Sequence, residues 1–481
     1  MRGRSGLFTD LYELTMVQGY VLSCPEQHGV FDMFFRKQPF DGGFTVFAGL
    51  EDLLVNLENL SFSEEEIEYL EGQGIFKQEF LDYLSGFTFS GDVYAADEGT
   101  PVFPNEPLIR VHGTLAETQL IESMLLNTVN FQTLIATKTA RIYEASRQGK
   151  VLDFGMRRAQ GPDGAVSATR AAYIGGASAT SNTYAGKLLG IPAKGTMAHS
   201  WVMAFESEKE SFEKFTELYP DNAILLIDTY DTLVSGLPNA IAVGKKMRER
   251  NKSIGVRLDS GDLEYLSKEV RKQFDAAGLE DAVITASNEL DEYIIHQLLE
   301  RGAPIDTWGV GTKLVTGYPD ASLTGVYKLT AAGSPEAPDP VIKVSDTPEK
   351  TTNPGIKQVY RFYDGTDAPL ADLLTLDNET LTRGEPRVFH HPGLNTRKFT
   401  LDEYDRFEPL LKKRMVRGKR SGPPESLTDI KARKEKLLGN LDDTYKRFLN
   451  PHVYKVSLSG NLMEQKRQMI EKIDSKTRRS L

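Results

Sequence analysis

The stretch SIGVRLDSGDLEYLSKEVRKQFDAAG, residues 253–278, contains the repeating unit from which the fold can be predicted. Its first seven residues form a short apolar run that is typical of a buried strand. The residues that follow place apolar side chains at helical spacing and end in Gly278, a residue type that commonly terminates helices. The stretch therefore predicts one strand followed by one helix.

The same alternation recurs through the middle third of the chain. The predicted strands are VLDF from Val151, IPAKG from Ile191, AILLIDT from Ala223, SIGVRLD from Ser253, AVITAS from Ala282 and DTWGVGT from Asp306. Amphipathic stretches such as EKESFEKFTELY and ELDEYIIHQLLERG lie between them. Repeated strand–helix units predict an α/β fold with a parallel sheet or a barrel.

Composition limits the class of protein. The chain has 481 residues, of which 40% are hydrophobic and 26% charged, as in ordinary globular proteins of two or three domains. No run of 18 apolar residues is present and the N-terminus lacks a secretory pattern, so we expect no membrane span and no export. The single cysteine, Cys24, excludes an internal disulfide framework. A cytoplasmic location is the expectation.

Charge is unevenly distributed along the chain. The formal net charge of −11 argues against a nucleic-acid-binding protein, yet residues 411–481 contain 19 lysines and arginines against 8 acidic residues. This basic segment has helical apolar spacing and few aromatic residues. Two interpretations remain: it binds nucleic acid, or it packs on the acidic remainder of the chain or on a partner subunit. We favour the second and expect no nucleic-acid partner.

Polar residues follow each predicted strand of the middle third, where active sites of barrel enzymes are built. The set is Asp153, Arg157, Arg158, Thr196, His199, Asp228, Asp231, Arg257, Asp259, Asp262, Ser287 and Asn288, followed by GVGT at 309–312. A lone histidine such as His199 is more often a structural residue, but its position in this series favours a functional one.

The types of these residues indicate what they bind. DSGD, SNE and GVGT are small turns entering helices, and their free backbone N–H groups suit phosphate oxygens. They supply the phosphate-binding candidates Ser260, Gly261, Ser287, Asn288, Gly309, Gly311 and Thr312. Asp228, Asp231, Asp259 and Asp262 are candidates to hold Mg²⁺ and ribose hydroxyls, and not all four need be ligands, because Mg²⁺ prefers one or two carboxylates together with substrate oxygens. Arg157, Arg158 and Arg257 suit anions. The site is therefore predicted to bind a phosphorylated sugar and a second anion.

An ordered set of motifs resembles the nicotinate phosphoribosyltransferase family. These motifs are TDLYELTM, FRKQPF, ATKTARI, DFGMRRAQGPDGA, GTMAHS, RLDSGD and GVGT, which run from Thr9 to Thr312. The resemblance implies that nicotinate and phosphoribosyl pyrophosphate give nicotinate mononucleotide and pyrophosphate, with Mg²⁺ as cofactor and ATP as co-substrate. It also implies a homodimer with shared active sites.

The resemblance implies a domain organisation as well. We expect an irregular (β/α) barrel of TIM type with a second, sandwich-like α+β domain and a helical C-terminal segment. The expected bounds are a sandwich-like domain at 1–130, the catalytic barrel at 131–330, strands returning to the sandwich at 331–400 and a basic helical segment at 401–481.

Residue roles follow from the matched motifs. His199 falls on the phosphohistidine, and Arg257 and Asp259 are assigned to catalysis. Tyr12, from the partner subunit, and Phe154 fall on the two positions that stack on the pyridine ring. Arg157, Thr196, Arg257 and Asn182 are expected to contact substrate. Lys138 in ATKTARI joins the phosphate-binding set.

Ser181 and Asn182 bear on substrate choice. Related nicotinamide-using enzymes have an aspartate at this place, and a carboxylate there would repel nicotinate. Two neutral residues therefore favour the acid as substrate. The alternatives are a related enzyme that uses nicotinamide or quinolinate, and a catalytically silent barrel that acts as a binding protein.

Overall fold

The computed structural model describes residues 5–345, 347, 350–393 and 397–479, and its contacts divide the chain into two compact units. Unit 1 consists of residues 1–134 together with 322–481, and unit 2 consists of residues 135–321. Unit 2 is thus an insertion in the chain of unit 1. No helix of the described residues combines the length and apolarity that crossing a bilayer requires.

The first segment of unit 1 alternates helices with strands. Its elements are α1 Leu11–Ser23, β1 His28–Phe35, β2 Thr45–Val46, α2 Leu50–Glu58, α3 Glu64–Gly72, α4 Gln78–Ser85, β3 Asp92–Ala95, β4 Pro101–Val102, β5 Ile109–Thr114 and α5 Leu115–Leu120. Helix α6, Glu122–Ala145, continues into unit 2.

Unit 2 is built from strand–helix units. Its elements are β6 Lys150–Asp153, α7 Gly161–Gly175, β7 Ala179–Thr180, α8 Thr183–Leu189, α9 His199–Met203, α10 Glu208–Leu218, β8 Ile224–Leu226, α11 Leu237–Arg248, β9 Gly255–Leu258, α12 Leu263–Ala276, β10 Val283–Ala286, α13 Glu292–Glu300, β11 Thr307–Val310 and α14 Thr312–Val315.

All six strands of unit 2 are parallel and lie in the order β7-β6-β11-β10-β9-β8. Read as a ring, this is the sequential order of a (β/α) barrel in which the ladder is open between β7 and β8. The parallel sheet confirms the predicted strand–helix repeat, and the carboxyl ends of the strands share one edge.

The predicted strand IPAKG does not form a strand, and the short strand β7 was not predicted. Ala193 makes only an isolated parallel bridge with Thr180, through hydrogen bonds from the Thr180 N–H to the Pro192 carbonyl and from the Lys194 N–H to the Thr180 carbonyl. Pro192 has no N–H with which to continue a ladder. This bridge borders the open side of the barrel ladder, between β7 and β8.

The later segment of unit 1 is mostly β-structure followed by helices. Its elements are β12 Gly325–Gly333, β13 Pro338–Pro340, β14 Lys357–Tyr363, β15 Pro369–Leu376, β16 Arg387–His390, β17 Lys398–Leu401, β18 Arg406–Pro409, β19 Lys412–Val416, β20 Lys419–Arg420, α15 Leu427–Gly439, α16 Asp443–Lys446, β21 Val456–Leu458 and α17 Gly460–Arg479.

Strands from the two ends of the chain share one sheet in unit 1. A seven-stranded sheet has the order β13-β12-β1-β5-β3-β19-β20, and a six-stranded sheet has the order β17-β16-β21-β15-β14-β18. The second domain therefore does combine N-terminal and later segments. The expected helical segment at 401–481 is helical only in part, because residues 406–420 form three strands and 456–458 a fourth.

The basic part of the C-terminal segment packs on acidic residues of the same unit. Lys412 pairs with Asp97 at 2.7 Å, and Lys413 pairs with Asp92 at 3.3 Å. Further along, Arg420 pairs with Glu51 at 2.6 Å. These contacts agree with the second of the two interpretations of the basic segment.

Gly236 fixes the turn that follows β8. A Cβ at this position would lie 1.9 Å from the carbonyl oxygen of Ile227, at the end of the strand. Gly164, in the first turns of α7, has no atom within 4 Å of the corresponding point. The two glycines therefore form a matched pair, one confined by backbone and the other in open space.

We expect Gly236→Ala to lower the free energy of unfolding by about 1–3 kcal/mol, since the strand end must shift to admit the methyl group. Gly164→Ala should instead raise it by up to about 1 kcal/mol, because alanine is the better helix former. Urea denaturation of both variants measures the difference. If both substitutions changed the free energy of unfolding equally, the close contact between position 236 and the Ile227 carbonyl would be contradicted.

Candidate active site

Asp228 joins the ends of two adjacent strands of unit 2. Its Oδ2 accepts a hydrogen bond from the Asp259 backbone N–H at 3.1 Å and another from the Ser260 hydroxyl at 2.6 Å. Its Oδ1 is buried and has no hydrogen-bond partner among the described residues. One carboxylate oxygen thus fixes the loop after β9, while the other remains available to a ligand.

Asp259 is held from a second side by the next strand. The hydroxyl of Ser287 donates to Asp259 Oδ1, and the Ser287 N–H donates to the Leu258 carbonyl at 2.9 Å. Ser287 lies at the end of β10. The ends of β8, β9 and β10 are therefore connected through the side chains of Asp228, Asp259 and Ser287.

Arg257 projects from β9 beside these carboxylates. Its Nη1 donates to the hydroxyl of Thr196, while its Nε is buried without a hydrogen-bond partner among the described residues. Burial lowers the pKa of the Arg257 guanidinium, an effect that the carboxylates of Asp259 and Asp228 oppose. A buried guanidinium with an unused donor is suited to receive an anionic group.

His199 begins helix α9 and faces the same carboxylate. Its Nε2 lies 4.0 Å from Asp259 Oδ2, and its Nδ1 lies 3.2 Å from the hydroxyl oxygen of Thr229. The His199 side chain is 43% exposed, so a ligand can reach the ring. Thr229 is a residue that the sequence analysis missed; its only signal is its place directly after Asp228.

Phe154 follows β6 and lies over β11. A Cβ at Gly309 would lie 2.7 Å from two ring carbons of Phe154, so the ring occupies the space that a side chain at 309 would take. Gly309, which the sequence predicted to bind phosphate, is buried, and its lack of a side chain makes room for this ring. Arg157, in the short 3₁₀ helix at 156–158, is exposed.

The remaining phosphate-binding candidates lie in loops at the same strand edge. Ser260, Gly261 and Asn288 are exposed, whereas Gly311 and Thr312 are partly buried. Asn288 and Gly261 have positive φ values of 93° and 77°, which turn the backbone sharply after β10 and β9. Thr312 donates to Glu289 Oε1 at 3.3 Å, linking the loops after β10 and β11.

Two predicted site residues of unit 2 have other hydrogen-bond or ion-pair partners, and a third belongs to unit 1. Lys138 is buried and forms an ion pair with Glu292 at 2.5 Å. Its charge therefore contributes to the contact between α6 and α13. Asn182 is buried, caps α8 by accepting from the Ala185 N–H, and donates to the Ala165 carbonyl. Tyr12 belongs to unit 1 and is 49% exposed.

Asp153, which the sequence placed among the candidates, has a structural role. Its carboxylate accepts hydrogen bonds from the hydroxyls of Thr169 and Thr180 and from the Gly155 N–H, at 2.8–2.9 Å. It is buried and fully used in joining β6, β7 and α7.

The protein side chains at the strand edge can hold a metal ion only if a bound ligand supplies further oxygen atoms. Among the described residues, no group of three or more histidine, cysteine, aspartate or glutamate side chains is arranged to bind a metal ion. Asp228, with its unused Oδ1, and Asp259 fit the pattern in which Mg²⁺ takes one or two carboxylates and several substrate oxygens.

The fold and this site together define a barrel protein whose candidate active site lies at the carboxyl ends of its strands. Family models for the nicotinate phosphoribosyltransferase N-terminal domain, family and C-terminal domain match residues 7–130, 149–380 and 356–466 respectively. The chain is 43% identical over 480 residues to nicotinate phosphoribosyltransferase of Bacillus subtilis, covering 99% of this chain and 97% of that protein.

Solved structures agree with this assignment. The crystal structure of human nicotinic acid phosphoribosyltransferase matches with a TM-score of 0.84 and 30% identity, covering 96% of this chain and 99% of that chain. Nicotinate-nucleotide pyrophosphorylase from Pyrococcus furiosus, at a TM-score of 0.70 and 22% identity, shares the fold over 90% of this chain and 94% of that chain. The chain belongs to the nicotinate phosphoribosyltransferase family.

We expect Arg257→Met to abolish anion binding while raising the free energy of unfolding of the ligand-free protein by about 1 kcal/mol, since an imperfectly paired buried charge is removed. Thermal unfolding with and without inorganic phosphate tests this. Phosphate should raise the melting temperature of the unsubstituted protein and leave that of Arg257→Met unchanged.

Arg248→Met is the control for that experiment. Arg248 is 53% exposed on α11 and pairs with Glu280, so its loss should alter neither stability nor the response to phosphate. A phosphate response that survives in Arg257→Met would show that Arg257 does not receive the anion.

Proposed function

We propose that this protein transfers the phosphoribosyl group of phosphoribosyl pyrophosphate to nicotinate, releasing nicotinate mononucleotide and pyrophosphate. The reaction is coupled to ATP hydrolysis through phosphorylation of His199 and is the first step of NAD salvage from nicotinate. The observation that carries the proposal is the placement of His199, Asp259 and Arg257 at one strand edge of a chain that belongs to this family.

The transfer breaks the bond from ribose C1 to the pyrophosphate oxygen and forms a bond from C1 to the pyridine nitrogen. Positive charge develops on the ribose ring as pyrophosphate departs with the bonding electron pair. The Asp259 carboxylate, whose orientation Ser287 holds, would stabilise that charge. Arg257 supplies positive charge to a substrate anion. Its hydrogen bond to Thr196 involves only one guanidinium nitrogen, so the other nitrogens can bind that anion.

Asp228 and Asp259 are the residues that would hold Mg²⁺. The support is the buried Oδ1 of Asp228, which lacks a protein partner among the described residues. When bound, Mg²⁺ neutralises phosphate oxygens and so favours departure of pyrophosphate. The backbone turns at Gly261, Asn288 and Gly311 would receive other phosphate oxygens through their N–H groups.

The nicotinate ring requires a flat apolar surface and a cation for its carboxylate. The Phe154 ring, whose position Gly309 permits, supplies the surface, and the exposed Arg157 supplies the cation. Ser181 and Asn182 are neutral, which favours the acid over nicotinamide. Because Asn182 is committed to capping α8, we assign the neutral contact to Ser181.

We further propose a homodimer in the cytoplasm with shared active sites, in which Tyr12 of one subunit stacks on the nicotinate bound by its partner. Tyr12 lies in the exposed part of α1, and burial of its ring edge near Glu122 and Glu13 raises the pKa of its hydroxyl group. The phenol therefore stays neutral, as a stacking surface requires.

Unit 1 also contains a basic cavity. Its volume is about 1070 Å³, and Asp32, which pairs with Lys357, is the one carboxylate among the described residues of its lining. The lysines and arginines of the lining are Arg36, Lys350, Lys357, Arg397, Lys398, Arg447, Lys455 and Lys466. Burial and, second to it, the charge of Lys357 lower the pKa of Lys466 to about 8. A polyphosphate group bound in the cavity would favour the charged form of Lys466.

We expect His199→Ala to abolish stimulation by ATP while retaining ATP-independent synthesis, because transfer to nicotinate does not itself use the imidazole. Product formation is measured by mass spectrometry with nicotinate, nicotinamide or quinolinate as acceptor, with and without ATP. His296→Ala serves as the control, since His296 is 49% exposed on α13 and forms an ion pair with Glu300.

Three outcomes decide between the alternatives. Full ATP stimulation in His199→Ala would remove the phosphohistidine from the proposal. Product from nicotinamide or quinolinate in preference to nicotinate would replace the substrate. Absence of product with every acceptor would favour a binding protein.

Shared active sites are tested by complementation. We expect Tyr12→Ala and Arg257→Met each to be inactive as a homodimer, since one lacks the stacking ring and the other the anion contact. Mixed dimers of the two should regain activity, because one of their two sites then combines an intact Tyr12 with an intact Arg257. Co-expression with two affinity tags yields the mixed dimer for assay.

Mixing Arg257→Met with Asp228→Asn is the matched control. Both of these changes lie in unit 2, so no mixed dimer regains an intact site and activity should stay at the level of the separate variants. Equal recovery in both mixtures, or in neither, would contradict sharing of Tyr12 between subunits.

A further inference from the structure

The loops that follow β10 and β11 are joined by two pairs of side chains. The Thr312 hydroxyl donates to Glu289 Oε1 at 3.3 Å, and the Lys313 ammonium group donates to Asp291 Oδ2 at 2.7 Å. Each pair has one member in the segment 288–291 and the other at the start of α14. Side chains as well as strands therefore fix the two loops to each other.

The ion pair between Lys313 and Asp291 is the better protected of these contacts. The two side chains are 21% and 11% exposed, whereas the contact between Thr312 and Glu289 is exposed. Burial would raise the pKa of the Asp291 carboxyl group, but the hydrogen bonds from Lys313 and from the Ile294 N–H outweigh it and lower that pKa. The pair is therefore ionised at neutral pH and is screened less than a surface pair.

Asp291 also starts helix α13. Its Oδ1 accepts from the Ile294 N–H at 2.9 Å and so caps the helix, while its Oδ2 accepts from Lys313. The next residue, Glu292, is buried and pairs with Lys138 of α6. The start of α13 is thus held from both α6 and α14, and the loop after β10 ends at a fixed point.

The backbone between β10 and this fixed point has an uncommon conformation. Asn288 and Glu289 have φ values of 93° and 30°, in the left-handed region that residues other than glycine seldom adopt. Such conformations persist only where the surrounding structure imposes them. Ser287, whose N–H donates to the Leu258 carbonyl, fixes one end of this segment, and Asp291 fixes the other.

We propose that Lys313 and Asp291 are positioning residues for phosphate binding: their ion pair sets the spacing between the backbone turns at Asn288 and Gly311. The inference rests on the proposed function, in which these turns receive phosphate oxygens of phosphoribosyl pyrophosphate through their N–H groups. N–H groups that converge on one phosphate must keep their separation, because hydrogen bonds weaken steeply as the angle departs from the optimum. The pair acts through the two loops and does not itself contact the substrate.

Two substitutions that remove opposite charges test the proposal. Lys313→Met removes a positive charge and Asp291→Asn a negative one, while asparagine still suits the cap of α13. We expect both variants to bind phosphate about 10-fold more weakly, the usual size of the coupling between contacting residues. Charges that acted directly on phosphate would instead make Lys313→Met weaker and Asp291→Asn stronger. Calorimetry measures binding of phosphoribosyl pyrophosphate with Mg²⁺, without nicotinate, and separately of inorganic phosphate.

Three further variants serve as controls. Lys313→Arg keeps the charge and should bind close to the unsubstituted protein. The double variant Asp291→Asn/Lys313→Met should be no weaker than either single one, because both changes remove the same contact. Lys246→Met is the matched control, since Lys246 of α11 pairs with Glu213 of α10 at the same distance of 2.7 Å on the exposed side of the helices, and its loss should leave both affinities unchanged.

Steady-state kinetics separate positioning from a general structural role. We expect the KM for phosphoribosyl pyrophosphate to rise about 10-fold in Lys313→Met and Asp291→Asn, in line with the binding loss. The KM for nicotinate should stay the same, because the ring and its carboxylate are assigned to other residues. A general loss of structure would raise both KM values or lower kcat alone.

The outcomes that overturn the proposal are affinity changes of opposite sign, unchanged affinity in both variants, additive losses in the double variant, or an equal rise in the two KM values. If the unsubstituted protein binds inorganic phosphate but not phosphoribosyl pyrophosphate, the proposed function fails. The phosphate affinities of the variants still decide the role of the ion pair in that case. If it binds neither ligand, both proposals fail.

Discussion

The hydrogen bonds from the Asp259 N–H and the Ser260 hydroxyl to one oxygen of Asp228 are the constraint on which the site depends. They join the ends of β8 and β9, and Ser287 extends the connection to β10 through Asp259. Since parallel strands end at one edge, short side chains suffice to link their loops. Asp228, Asp259 and Ser287 are therefore placed by the strand ends to which they are attached.

Several polar atoms at this edge have no partner of their own. Asp228 Oδ1 and Arg257 Nε are both buried without a hydrogen bond from the described residues. A buried unpaired donor or acceptor costs about 1–3 kcal/mol, so such atoms are normally avoided. Their presence side by side agrees with a site that is completed by the anions and metal ion of the proposed reaction.

Local sequence predicted much of this arrangement and failed where neighbours decide the outcome. The apolar runs that start at Val151, Ala223, Ser253, Ala282 and Asp306 formed the strands β6, β8, β9, β10 and β11, as their places between amphipathic helices predict. IPAKG did not form a strand, because Pro192 lacks an N–H, and only the ladder around Thr180 reveals that the segment makes a single bridge. Asn182 and Lys138 have side chains that suit a ligand, yet α8 and Glu292 use them. Whether such a side chain is available to a ligand depends on the residues that it contacts, which lie far away in sequence or in another element.

The sequence by itself determined the repeated strand–helix units and the edge at which the functional residues gather, because hydrophobic periodicity and strand direction are local properties. Its motifs also identified the family to which the chain belongs. Only the tertiary structure decided which polar groups are available: it assigned Asp153 to β6, β7 and α7, opened the barrel ladder between β7 and β8, and placed Thr229 against His199. Hydrogen bonds between residues 16 to 30 positions apart fixed the places of Asp153 and Thr229, and no local pattern contains that information.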